Sequence, residues 1–97
     1  MKYKIILAPS ADEDLKKIRA YDSASVKSHI KQHLGHEPSK TSKSRIKRLR
    51  GMNKPQYRLR VGDYRIFYDV VDVEVHILAI VQKSQADKWL ERAGEKQ

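Results

Sequence analysis

A chain of 97 residues has room for one small domain with a modest core, and with no cysteine it excludes a disulfide framework, a thiolate nucleophile and a cysteine metal site. Its formal charge of +9 is concentrated: Lys40 to Arg65 holds ten basic residues and one acid, Asp63, while the remaining residues carry eleven of each sign and cancel. A neutral scaffold with one positive field suits a polyphosphate or acidic protein partner, and the lack of any run near the ~20 apolar residues of a membrane span leads us to expect a soluble, cytoplasmic protein with no membrane contact.

In chain order, Tyr3 to Ala8 reads as a first strand ended by Pro9. Ser10 and Glu13 have capping-box spacing, and Ala11, Leu15 and Ile18 recur at helical spacing, so a first helix is expected from about Ala11 to Arg19 or Tyr21. Asp22 or Ser23 is suited to cap a second helix, whose stripe of Val26, Ile30 and Leu34 runs until Gly35 and Pro38 stop it. Glu37 to Asn53 is polar, serine-rich and basic, anchored by Ile46, Leu49 and Met52. It reads as a loop with a helical turn ending at Arg50-Gly51. Its cations Lys43, Arg45, Lys47, Arg48, Arg50 and Lys54 are candidate RNA contacts, although a solvated connector has the same composition.

Tyr57 to Val70, YRLRVGDYRIFYDV, predicts a β-hairpin with Gly62-Asp63 as its two-residue turn. Counting outward pairs Val61 with Tyr64, Arg60 with Arg65, Leu59 with Ile66 and Arg58 with Phe67. One face then carries Tyr57, Leu59, Val61, Tyr64, Ile66 and Tyr68, suited to a core. The other gathers Arg58, Arg60 and Arg65. Like charges directly across a strand pair are destabilising, so either an anion visits this face or the long arginine stems splay their heads into solvent.

Asp72 and Val73 fall in a second turn, and Glu74 to Gln82 predicts another strand, with Tyr68 facing Ile77, Ile66 facing Ala79 and Tyr64 facing Val81. The arginine side gains Asp69 beside His76, and Phe67, Leu78 and Ile80, which are too apolar to stay bare. Ala86, Trp89, Leu90 and Ala93, at i, i+3, i+4 and i+7 of a last helix, supply the cover and leave the arginines in a groove rimmed by the connector and that helix. His29, His33 and His36 lack a completing ligand set, so a solvated helix face is expected rather than a metal site. His76 with Asp69 reads as a tuned histidine or as an ordinary cross-strand polar pair. Trp89, on the apolar stripe, reads as a core anchor.

Three arginines with Lys83 nearby suit cleavage of RNA by its own 2′-hydroxyl, since fixed guanidinium groups stabilise the anionic phosphorane and a lysine, histidine or tyrosine with a shifted pKa moves the protons. This chemistry asks for neither metal nor cofactor.

The succession of a short strand, two helices, a basic Leu49-Arg50-Gly51 segment, the YRLRVGDYRIFYDV hairpin, another strand and a closing helix resembles the RelE/ParE superfamily of toxin-antitoxin toxins, closer to its RelE branch. The resemblance spans nearly the whole chain. It implies a single α+β domain over residues 1–97: an antiparallel sheet of about four strands, an N-terminal two-helix hairpin and a C-terminal helix. It further implies a type II toxin that is a metal-independent endoribonuclease, cutting mRNA in the ribosomal A site and neutralised by a cognate antitoxin protein. Arg58 and Arg60 match the two basic hairpin positions of the RelE branch, and Arg65 its phosphate-binding arginine. Lys83 stands where a Lys-Arg step is usual, and Trp89 lies where a catalytic tyrosine is usual but cannot transfer a proton. The alternatives are a non-nucleolytic inhibitor of DNA gyrase of the ParE type and a catalytically weak RNA or ribosome binder.

Overall fold

The computed structural model describes residues 2–95. Its elements are β1 (Lys4–Leu7), α1 (Pro9–Lys17), α2 (Ala20–Leu34), β2 (Ile46–Arg48), β3 (Tyr57–Val61), β4 (Tyr64–Val71), β5 (Glu74–Gln82) and α3 (Lys83–Glu95). The fold is α+β, with a sheet ordered β1-β5-β4-β3-β2. In place of about four antiparallel strands there are five among the described residues, and β1 runs parallel to β5. The helical hairpin α1-α2 covers one face, where Ala11, Leu15, Val26, Ile30 and Leu34 meet Leu59, Val61, Ile66, Tyr68, Val75 and Ile77. On the other face, α3 lays Ala86, Trp89 and Leu90 over Phe67 and Ala79.

The β3-β4 hairpin has the register read from sequence, Val61 opposite Tyr64 through Arg58 opposite Phe67. Gly62 holds φ at 54°, and a Cβ there would meet nothing within 4 Å, so the turn needs glycine for conformation and not for space.

The β4-β5 ladder departs from the expected register. Tyr68 does face Ile77, but Phe67 faces Ala79, which leaves Leu78 as the extra residue of a β-bulge. Beyond it the pairs are Ile66 with Ile80 and Tyr64 with Gln82, not Ile66 with Ala79 and Tyr64 with Val81. Ile80 therefore joins the α1-α2 core, and Ala79 and Val81 take the α3 side instead.

Helix α1 explains how the bulge is held. It begins at Pro9, whose fixed φ suits a first helical position, so Ser10 is not its cap and the expected capping box does not form. Ser10 instead donates its hydroxyl to the Leu78 carbonyl at 2.8 Å, and Asp14, one turn later, accepts the Ile80 N–H at 3.0 Å. Both partners flank the point where the ladder is interrupted. Asp14→Ala is expected to lower stability by roughly 1–3 kcal/mol, the usual cost of losing a charge-assisted bond to a backbone donor, and Asp14→Asn, which keeps an acceptor, should lose less. Urea unfolding with an unchanged m-value checks this.

The second helix also begins earlier than expected, with Arg19 and not Asp22 or Ser23 at its cap position. Asp22 sits in its first turn, where a carboxylate complements the helix dipole. There it accepts bonds from Arg19 Nε at 3.3 Å and from the Tyr64 hydroxyl at 3.1 Å, tying α2 to β4.

In the connector, the expected helical turn is replaced by the edge strand β2 and a turn at Arg50-Gly51, where Gly51 has φ 75°. Ser42 Oγ starts the strand by accepting the N–H groups of Arg45 and Ile46 at 3.0 and 3.1 Å. Gln56 closes it: its carbonyl accepts the Leu49 N–H at 2.8 Å, and its own N–H donates to Asp69 Oδ1 at 2.7 Å.

Candidate nucleic-acid interface

Strand pairing builds the basic face row by row. Arg60 lies opposite Arg65, and Lys47, Arg58 and Phe67 form the next row across β2, β3 and β4. Ile46 and Leu59, each one residue away, are buried under the helical hairpin, so by alternation Lys47, Arg58 and Arg60 share the α3 side. The edge strand thus extends the arginine face by one lysine.

The three arginines are held differently. Arg65 is 7% exposed, and its Nη1 donates to the carbonyls of Gly62 at 2.9 Å and Tyr64 at 3.0 Å, which fixes the guanidinium against the hairpin turn. Burial lowers its pKa first and Arg60 second, with Asp63 opposing. Arg58 is half-buried, its Nε enclosed without a hydrogen-bond partner, and its pKa is lowered by burial and then by Arg65 and Arg60. Arg60 is exposed. A guanidinium group is a cation near neutrality, so the cluster holds mutually repelling charges that a bound anion would relieve. Leu49 from the connector and Leu90 from α3 pack around Phe67 beside it.

Lys83 opens α3, and its N–H donates to the Asp63 carbonyl at 2.6 Å, so the helix begins at the same turn that anchors Arg65. Lys83 lines an open cavity with Asp63 and Asp87. The connector cations do not converge in the same way. Lys43 and Arg50 are exposed, and Lys54 lines a cavity with Trp89. Arg48 donates to the Gln56 carbonyl at 2.8 Å and lies 5.1 Å from the centroid of the Tyr57 ring, which packs on the helical side. Arg45 reaches α2, with Nη1 3.0 Å from His33 Nε2. Two larger cavities, of about 700 and 610 Å³, are lined by α2 on that same helical side.

The Arg45 contact requires neutral His33 with an accepting Nε2. Burial first, then Arg45 and then His29, whose ring stacks at 5.7 Å, lower the His33 pKa. The neighbouring His36, Glu37 and Lys40 line the same cavity. As pH falls through the ordinary histidine range the unfolded chain takes up this proton before the folded one, so stability falls; the full contribution is present only above that range. His33→Gln is expected to flatten the loss of stability between about pH 7 and pH 5, as read by denaturant midpoints.

The hairpin tyrosines face away from the arginines. Tyr68 donates to the Pro38 carbonyl at 2.7 Å and burial pushes its pKa up, as burial followed by the Asp22 bond does for Tyr64. Asp69 and His76 are opposite in register, yet they do not form the expected polar pair. His76 Nε2 is 3.0 Å from Glu74, and buried Asp69 is committed to the Gln56 N–H. Sequence reading missed this Gln56-Asp69 clamp, which locks the connector to β4, because no local pattern marks a side-chain acceptor thirteen residues away. Among the described residues no three His, Cys, Asp or Glu side chains group as a metal site.

A family model described as the ParE toxin of type II toxin-antitoxin systems matches residues 5–87. No curated protein matches. Among solved structures, the RelBE2 toxin-antitoxin complex of Mycobacterium tuberculosis contains a chain 26% identical with a TM-score of 0.69; the match covers 84% of this chain and 99% of that one. A RelE-RelB complex of Pyrococcus horikoshii matches at 24% identity and TM-score 0.70, covering 88% and 99% of the two chains. A free mutant of Escherichia coli toxin RelE matches at 23% identity and TM-score 0.70, covering 99% and 98%. With its RelE-like fold and a family match over most of its length, the chain belongs to the ParE toxin family of type II toxin-antitoxin systems, within the RelE/ParE superfamily.

Proposed function

We propose that this toxin is a ribosome-dependent endoribonuclease that cuts mRNA in the ribosomal A site without a metal or cofactor. The observation that carries the reading is the Arg58-Arg60-Arg65 cluster, with Arg65 pinned by two carbonyls at the hairpin turn. In the reaction the ribose 2′-oxygen loses its proton and attacks the adjacent phosphorus. The bond to the 5′-oxygen breaks, a 2′,3′-cyclic phosphate forms, and the departing oxygen takes a proton. Arg65 and Arg58 hold the phosphate and stabilise the phosphorane charge, and exposed Arg60 closes on it from across the strand pair. Lys83, at the hairpin turn that anchors Arg65, is the candidate for proton transfer, since the Tyr64 and Tyr68 hydroxyls are engaged elsewhere and Trp89 has no transferable proton for this purpose. Lys47, joined in Arg58's row, extends the RNA contact, and Lys43, Arg50 and Lys54 add long-range attraction.

The cytoplasmic partner that silences the toxin is a cognate antitoxin with an acidic segment. The +9 segment and the toxin-antitoxin complexes among the structural neighbours support this. Co-expression that yields neither a complex nor relief of growth arrest would count against it. A second reading, inhibition of DNA gyrase, draws on the ParE family match. Mapping 5′ ends of a translated message after induction separates these readings. Cuts within the reading frame that vanish when translation is blocked support the nuclease. Growth arrest over an intact message refutes it and directs the search to gyrase or to uncut ribosome binding.

A further inference from the structure

At the β3 N-terminal end of the arginine face lies an open cavity of about 310 Å³, lined by Lys54, Pro55, Leu78, Trp89 and Ala93 and bordered by the β1-α1 junction. The β-bulge makes it, by turning Leu78 toward α3 next to Ala79. Trp89 is set rigidly on one side: its ring lies 4.7 Å from Phe67 with an interplanar angle of 5°, so one aromatic face is spent on the core while the partly exposed indole also borders the cavity. A core anchor needs no cavity beside it.

We propose that this cavity is a nucleobase subsite, in which one base of the bound RNA stacks against Trp89 while its phosphate runs toward the arginines. Three features select this occupant. The lining is largely apolar, a cation, Lys54, is part of it, and the cavity lies beside the strongly basic segment of the chain. The subsite rests on the RNA-cleaving reading and adds to it a contact with the base, which the arginines do not make.

Trp89 is the sole tryptophan, so its emission reports the site directly. Excited at 295 nm to limit nucleotide absorbance, the purified toxin is titrated with adenosine 5′-monophosphate and, separately, with ribose 5-phosphate. Saturable quenching by the nucleotide alone is expected, and Ala93→Leu, which fills the cavity, should weaken it at least fivefold, in the range of a lost base stack. If Ala93→Leu does not fold, Ala93→Met, with its adaptable unbranched side chain, replaces it. Absence of quenching, equal quenching by ribose 5-phosphate, or quenching indifferent to Ala93 overturns the subsite. Arg65→Ala separates the two ideas: it should lower mRNA cleavage by about 10²- to 10³-fold yet keep most of the mononucleotide quenching. If wild type leaves mRNA intact while quenching persists, the nuclease reading fails and the base site stands.

Discussion

Cells induced for Arg65→Ala are expected to keep an intact translated message under conditions where the wild type cuts it, with the cleavage rate lowered by about 10²- to 10³-fold, the usual effect of removing a preorganised charge donor. Arg65 is singled out over its neighbours because its geometry is already paid for: burial and two carbonyl bonds fix the guanidinium before any phosphate arrives. Arg60 is exposed and must be ordered on binding, so Arg60→Ala should cost less than Arg65→Ala. Arg65→Lys should recover little, because an ammonium cannot hold two carbonyls and present a planar fork to phosphate at once. Since the Gly62 and Tyr64 carbonyls lose a donor in each Arg65 variant, thermal melts are needed alongside. A variant that folds like the wild type and still cuts at the wild-type rate would remove Arg65 from the mechanism.

Legibility in the sequence followed the range of the interactions concerned. The hairpin register and the arginine face are fixed by a two-residue turn and strict alternation, both local, and both stand in the structure. The bulge at Leu78 is held by Ser10 and Asp14, more than sixty residues away, and no glycine or proline marks it, so the ladder beyond Phe67 could not be registered from the strand alone. The edge strand β2 is three residues long and two of them are basic, too short and too polar to show a period. Its omission matters for the site, because only β2 brings Lys47 into line with Arg58 and sends Arg48 toward Tyr57. Charge count treated those cations alike; the sheet separates them.

Phe67→Ala should produce the largest loss of stability, roughly 3–5 kcal/mol, since it removes a wholly buried aromatic ring and leaves a cavity in the smaller of the two cores. That is a large fraction of the 5–15 kcal/mol typical of a small domain. The damage should be uneven. The α1-α2 side keeps its own extensive core, whereas α3 rests on the smaller cluster, with Ala86, Trp89 and Leu90 over Phe67 and Ala79 beside Leu49 and Val81. Without the parallel Phe67 ring, Trp89 loses its stacking partner, and its emission should shift to the red in native buffer while far-ultraviolet circular dichroism stays close to wild type. Phe67→Leu, which preserves much of the apolar volume, should lose less and keep the helix seated. A Phe67→Ala loss below about 1 kcal/mol, or a Trp89 signal that changes only with global unfolding, would show that α3 is bound by something other than this cluster. Because Lys83 begins α3 and is bonded to the hairpin turn at Asp63, loosening the helix should also lower activity through the position of that lysine, with the arginines themselves untouched.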